Sequence, residues 1–216
     1  MTTQLDIYNG ALLVCGERFL ASLTEEREPR RLLDRVWSAN GVKTCLEMGQ
    51  WNFAMRSAQI DYDTSVQPSF GYGRAFVKPD DWVLTSAVCE DEFFRAPLTR
   101  YWDEAGYWYS DLDTIYVRFV SSDVLYGLNL NKWPDSFREY VEAFFASKII
   151  KKLSNSEDEE ERVFKEMKAK LKTAKSRAAM AEPTSFPARG AWGLARNRFP
   201  NRRDGGNSGS NGNLIG

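Results

Sequence analysis

The sequence predicts a mainly α protein: an antiparallel four-helix bundle with a β-rich insertion between helices 2 and 3 and an extended C-terminal arm. Three observations predict it. Helix-period apolar stretches occupy both ends of the first 182 residues, short β-prone runs fill the middle, and the periodicity ends beyond Pro183. The expected divisions are 1–58 for the first half of the bundle, 59–132 for the insertion, 133–182 for the second half, and 183–216 for an arm that is flexible when unbound.

The first helix is expected over Gln4 to Glu17. Leu5, Tyr8, Leu12 and Cys15 fall at helical spacing, Ile7, Ala11 and Val14 fill the adjacent row, Thr3 is an N-cap and Gly16 a stop. Gly10 costs a helix about 1 kcal/mol relative to alanine, which points to a close helix–helix approach at that position. The second helix follows Pro29, with Leu33, Val36, Trp37, Thr44 and Met48 on its buried side. Asn40-Gly41 interrupts its pattern, and Gly49 ends it. An aromatic-rich segment, Trp51 to Arg56, comes next.

From Ile60 to Val120 the texture changes. Asp61 to Asp63 and Gln67 to Arg74 read as loop. Strands are expected at Trp82 to Val88, Leu98 to Trp102, Tyr107 to Tyr109 and Thr114 to Val120. Ile115, Val117 and Phe119 alternate with Tyr116 and Arg118, as in a half-buried strand. Asp103-Glu104-Ala105-Gly106 reads as a hairpin loop, with Gly106 free to take positive φ.

After Pro134-Asp135-Ser136, Phe137, Tyr140, Val141, Phe144, Phe145 and Ile149 form the clearest amphipathic stripe in the chain. The last helix begins on Glu157 to Glu161 and ends on Lys168, Lys170, Lys172, Lys175 and Arg177, an order that complements the helix dipole. Val163, Met167, Leu171, Ala174 and Ala178 trace its apolar seam.

The 216 residues are 43% hydrophobic and 27% charged, with a formal net charge of -1, which suits a folded domain that is not a general polyanion binder. The chain has no histidine. That removes Ser-His and Cys-His nucleophile pairs, histidine general bases and most familiar zinc sites. Cys15, Cys45 and Cys89 are odd in number and lie far apart, so buried or half-buried thiols are expected rather than a disulfide framework. No apolar run approaches the ~20 residues that span a bilayer, and Met1 to Asp6 do not read as a signal peptide. No cofactor or metal is expected.

Carboxylates at Asp80-Asp81 and Glu90-Asp91-Glu92 are candidates for acid/base chemistry. Adjacent positions do not by themselves supply two carboxyls across a cleft, and Asp80 after Pro79 is a natural turn residue. The aromatic group Tyr101, Trp102, Tyr107, Trp108 and Tyr109 is the first candidate interface. On a two-stranded ribbon its rings cannot all turn one way, so they fill a two-sided core or dock a partner. The C-terminal segment is the second. Arg189, Trp192, Arg196, Arg198, Phe199 and Arg202 suit an arm that folds on a neighbouring protein, a disordered basic end, or DNA contact.

Read in order, Ile7-Tyr8-Asn9-Gly10-Ala11-Leu12, Leu46, Trp51-Asn52-Phe53-Ala54-Met55-Arg56, Phe76-Val77-Lys78-Pro79-Asp80-Asp81-Trp82, Ile115-Tyr116-Val117-Arg118-Phe119, Trp133-Pro134-Asp135-Ser136-Phe137 and Lys172 to Ala181 resemble the head-to-tail adaptors of tailed phages. The resemblance is to the tail tubular protein A type of short-tailed phages and covers roughly residues 5 to 182. Val77 stands where that family usually has tyrosine, and the C-terminal segment matches only loosely. The resemblance implies a non-catalytic virion protein at the head-tail junction. Its ring, commonly of twelve subunits, would bind the portal protein on one side and the tail nozzle protein on the other, with DNA passing through the lumen without sequence readout. On this reading the arm residues grip the portal, and Tyr101, Trp102, Tyr107, Trp108 and Tyr109 face the nozzle or an adjacent subunit. Two other classes stay open: a surface-binding module using the aromatic hairpin, and a cell-wall hydrolase using Asp80, Asp81 or Glu92.

Overall fold

A computed structural model describes residues 2–154 and 156–181. It corrects the fold class: the protein is mixed α/β, with 44% of the described residues in helix and 20% in strand, and not a mainly α four-helix bundle. Five α-helices and two antiparallel three-stranded sheets occupy the described residues. Two features overturn the bundle. The expected second helix breaks in two, and the central region folds into two sheets with a core of their own.

Helix α1 (Gln4–Cys15) begins with a capping box, in which Thr3 and Asp6 satisfy each other's backbone N–H groups, and ends on Gly16 at φ 76°. Helix α2 (Glu28–Ser38) opens with Pro29 in its first turn. It stops because Asn40 adopts φ 60°, and helix α3 (Gly41–Glu47) starts afresh. A Cβ at residue 41 would lie 2.7 Å from the Val36 carbonyl oxygen, so glycine is needed where the two helices turn.

Helix α4 (Asp135–Leu153) is the centre of the helical part. It packs on α1, α2, α3 and α5 (Glu157–Met180), and so buries Ala143, Ala146 and Ile150 beside the expected stripe. The face that reads as amphipathic in sequence is therefore one side of a helix covered on several sides. Helix α5 keeps the narrower seam, burying Val163 and Ala174, and is capped by Ser156.

One sheet has the order β1-β6-β3, formed by β1 (Met55–Asp61), β6 (Thr114–Ser121) and β3 (Trp82–Cys89). The other has the order β2-β5-β4, formed by β2 (Arg74–Val77), β5 (Tyr107–Ser110) and β4 (Trp102–Glu104). Ile115, Val117 and Phe119 of β6 meet Phe76, Val88 and Trp108 in a core separate from that of the helices. Val120 and Val83 join the helical core instead, so the β1-β6-β3 sheet takes part in both. The described residues nonetheless belong to one compact unit.

The motif residues have defined structural jobs. Ile7, Tyr8, Ala11 and Leu12 are buried, while the Asn9 side chain accepts from Leu20 N at 2.8 Å and donates to Leu20 O at 3.2 Å. The Trp51 indole donates to Leu46 O at 3.0 Å, and Asn52 Nδ2 donates to Ala178 O at 3.1 Å, tying the α3–β1 connection to α5. The Trp133 indole donates to Gly127 O at 2.8 Å. Each buried indole thus has a partner for its N–H, without which it would cost about 1–3 kcal/mol.

Candidate functional site

The hairpin β4–β5 turns through only Ala105 and Gly106, both at positive φ (50° and 83°), as a tight two-residue connection requires. The expected four-residue loop is shorter because Asp103 and Glu104 pair with Trp108 and Tyr107. This register sorts the aromatic group. Trp102, Tyr107 and Tyr109 share one face, and Trp108 points to the other, where it is fully buried. Tyr101 packs at the edge of the sheet core, with burial raising its hydroxyl pKa.

The outward face is continuous. Trp102 pairs with Tyr109, Glu104 and Val77 flank Tyr107, and the rings of Tyr107 and Tyr109 lie 6.0 Å apart. Tyr72, from the preceding loop, meets Trp102 edge to face at 5.3 Å. Gly71 at φ 86° lets that loop lie against the indole, since a Cβ there would be 2.5 Å from it. Trp102 remains 43% exposed, Val77 46%, and Phe70 on the same loop 80%. Val77, Tyr72 and Phe70 were not anticipated. The alternation of strand β2 and the Phe70-Gly71-Tyr72-Gly73 spacing were the available signals, but only strand register shows which rings meet.

Behind this face the sheet is locked in place. Asp103 pairs with the Lys78 ammonium and accepts from Thr85 Oγ1 at 3.0 Å and the Trp108 indole at 3.1 Å. The Trp82 indole donates to the same Thr85 hydroxyl at 3.1 Å. The Lys78 ammonium lies 3.8 Å from the centre of the Trp82 ring and 5.4 Å from that of Trp108. One carboxylate on β4 is therefore fastened to β3 and to the loop after β2, which fixes the outward rings.

The candidate acids have structural partners. Arg56 Nη1 donates to both Asp81 oxygens at 2.8 Å, and the Ser121 hydroxyl donates to Asp81 as well. Burial alone would raise the Asp81 pKa, but the Ser121 and Arg56 hydrogen bonds outweigh it and hold the carboxyl below its ordinary range. Asp91 accepts from the backbone N–H groups of Arg95 and Ala96 in a turn, which lowers its pKa. Asp80 and Glu92 are exposed. Among the described residues no group of three or more acidic or cysteine side chains is placed to hold a metal ion. Cys45 and Cys89 are buried and Cys15 is half-buried, all as free thiols. No described helix is long and apolar enough to cross a membrane. Arg189, Trp192, Arg196, Arg198, Phe199 and Arg202 lie outside the described residues.

No protein-family model and no curated protein matches the chain.

Proposed function

We propose that this chain is a structural protein of a tailed-phage virion, a head-to-tail adaptor whose copies form a ring between the portal protein and the tail nozzle protein. The observation that carries the reading is the outward aromatic face of the β2-β5-β4 sheet. Trp102, Tyr107, Tyr109, Tyr72 and Val77 form a surface held rigid by the Asp103–Lys78 pair. Aromatic surface on a preorganised sheet favours docking, because little conformational entropy is lost on contact. The ordered motifs of the sequence supply the kind of partner.

In this role the aromatic face meets the nozzle or the neighbouring subunit. The segment beginning near Pro183 grips the portal through Arg189, Trp192, Arg196, Arg198, Phe199 and Arg202. DNA crosses the lumen of a ring of about twelve copies without sequence readout, and a net charge of -1 per chain favours passage over retention of the phosphates. The protein is non-catalytic and belongs at the head-tail junction of the virion.

Electron microscopy of the purified chain mixed with the portal ring of the same phage tests this. A second ring stacked on the portal is expected, and deletion after Glu182 should abolish it. Bare portals beside unassembled chains would overturn the reading. The exposed Trp102 face also suits a monomeric module that binds sugar or peptide. Binding of such a ligand that weakens on Trp102→Ala, without portal rings, would favour that second reading.

A further inference from the structure

A cavity of about 460 Å³ opens between α2, the start of α3 and the C-terminal half of α4. Its floor is apolar, formed by Leu32, Val36, Phe144 and Ile149. Arg35, Lys148 and Lys152 stand at its rim with no carboxylate among the lining residues. All three are exposed, and none forms an ion pair among the described residues. The groove therefore suits an apolar side chain flanked by carboxylates.

The first two turns of α5 offer such a feature. Phe164, about 100° around α5 from its buried neighbour Val163, is 43% exposed. Glu160 and Glu157 precede it by four and seven residues, which places them on the same side of the helix. Glu157, Asp158, Glu159 and Glu160 form no ion pair among the described residues, whereas Glu161 is held by Lys165 at 2.7 Å. Lys168, whose ammonium lies 5.6 Å from the Phe164 ring centre, sits one turn onward, on the opposite side of Phe164 from Glu160.

We infer that the acidic start of α5, led by Phe164, seats in the α2–α4 groove of a second copy of this chain. The two surfaces differ, so the contact is heterologous, the kind that repeats around a ring or along a filament. Lys148 and Lys152 end α4, and Glu157 and Glu160 begin α5 after a connection of three residues. Both surfaces therefore lie at the same end of the α4–α5 hairpin. Equal height is the condition for side-by-side copies to close by rotation without rise. The inference rests on the ring-forming reading above and names the contact that would build the ring.

Paired cysteines at the groove rim and on the acidic turn, Ala39→Cys with Glu161→Cys, test it on the full chain alone. The native thiols give little background, because Cys45 and Cys89 are buried and burial pushes the Cys15 thiol up to about 11. Mild oxidation should give a ladder of linked multimers from the double variant and nothing beyond a dimer from either single one. Adding Lys148→Glu and Lys152→Glu should reduce the ladder by about tenfold or more, since like charges then face one another. Further adding Glu157→Lys and Glu160→Lys should restore it. No ladder, or one indifferent to charge reversal, overturns the inference and leaves the adaptor reading to the portal images. A charge-dependent ladder beside bare portals keeps the contact and overturns the adaptor reading.

Discussion

Asp103 and Lys78 join the outward aromatic sheet to the rest of the β region through an ion pair whose lysine side chain is only 7% exposed. The carboxylate belongs to an edge strand in which all three residues are exposed at residue level, yet it reaches inward to Thr85 and Trp108. Trp82 and Trp108 flank the ammonium, so few of the surrounding atoms are water.

Lys78→Met keeps the aliphatic stem and removes the charge. Asp103 would retain Thr85 and Trp108 as donors but lose its counterion. Breaking a buried pair can cost 3–5 kcal/mol, and the 35% exposure of the Asp103 side chain lowers the expectation to about 2 kcal/mol. Thermal unfolding should show Tm lower by roughly 4–8 °C.

Trp108→Ala and Trp102→Ala should separate folding from docking. Trp108 is wholly buried against Phe76, Val117 and neighbouring residues, and its loss should cost about 3–5 kcal/mol in urea unfolding. Trp102→Ala removes a half-exposed ring and should cost about 1 kcal/mol, leaving the circular dichroism spectrum unchanged. Under the proposed adaptor role, its effect should appear in nozzle or subunit binding, measured with the folded variant.

Ala105 occupies the left-handed region at φ 50° in the β4–β5 turn. That conformation costs an L-residue with a Cβ roughly 1–2 kcal/mol, and asparagine tolerates it better. Ala105→Asn should therefore raise stability by about 1 kcal/mol, read as a higher urea midpoint with an unchanged slope.

Several elements were legible because one local pattern determined them. Strand β6 follows from the alternation of Ile115, Val117 and Phe119, and α1 from Thr3, Gly16 and the row between them. The mainly α reading failed where tertiary pairing decides. Strand β1 reads Met-Arg-Ser-Ala-Gln-Ile-Asp, with only one β-branched residue, and becomes a strand by pairing with β6 along its whole length. Asn40-Gly41 was visible as an interruption, but whether it kinks or ends a helix depends on the Asn40 φ and on contacts from Val36 and Phe145. At the candidate site the aromatic composition was legible and its division was not. Trp108 turns inward because register pairs it with Asp103 and Phe76, and those partners lie on different strands.

Glu142 should make stability fall as pH rises toward neutrality. Its carboxyl lies across Gly10 of α1, where a Cβ would be 2.2 Å from Glu142 Cδ, so the glycine makes room for it. Burial pushes its pKa up to about 7. Arg138 and Lys170 oppose the rise, while Glu139 and Asp6 add to it. The folded state thus binds the proton more tightly than the unfolded chain, whose carboxyl titrates near 4.5. Below the unfolded value both states are protonated and burial carries no charge penalty. Between about 4.5 and 7 the unfolded state loses its proton first, and stability falls by up to about 3 kcal/mol before levelling off. Asp6 and Asp81 have lowered values and titrate below this window, so they leave its slope alone. Glu142→Gln keeps the shape without the charge. Urea midpoints measured from pH 5 to 8 should decline for the natural chain and stay nearly level for the variant, with the variant the more stable at pH 8. Parallel curves would show that Glu142 ionises in the fold as readily as in water.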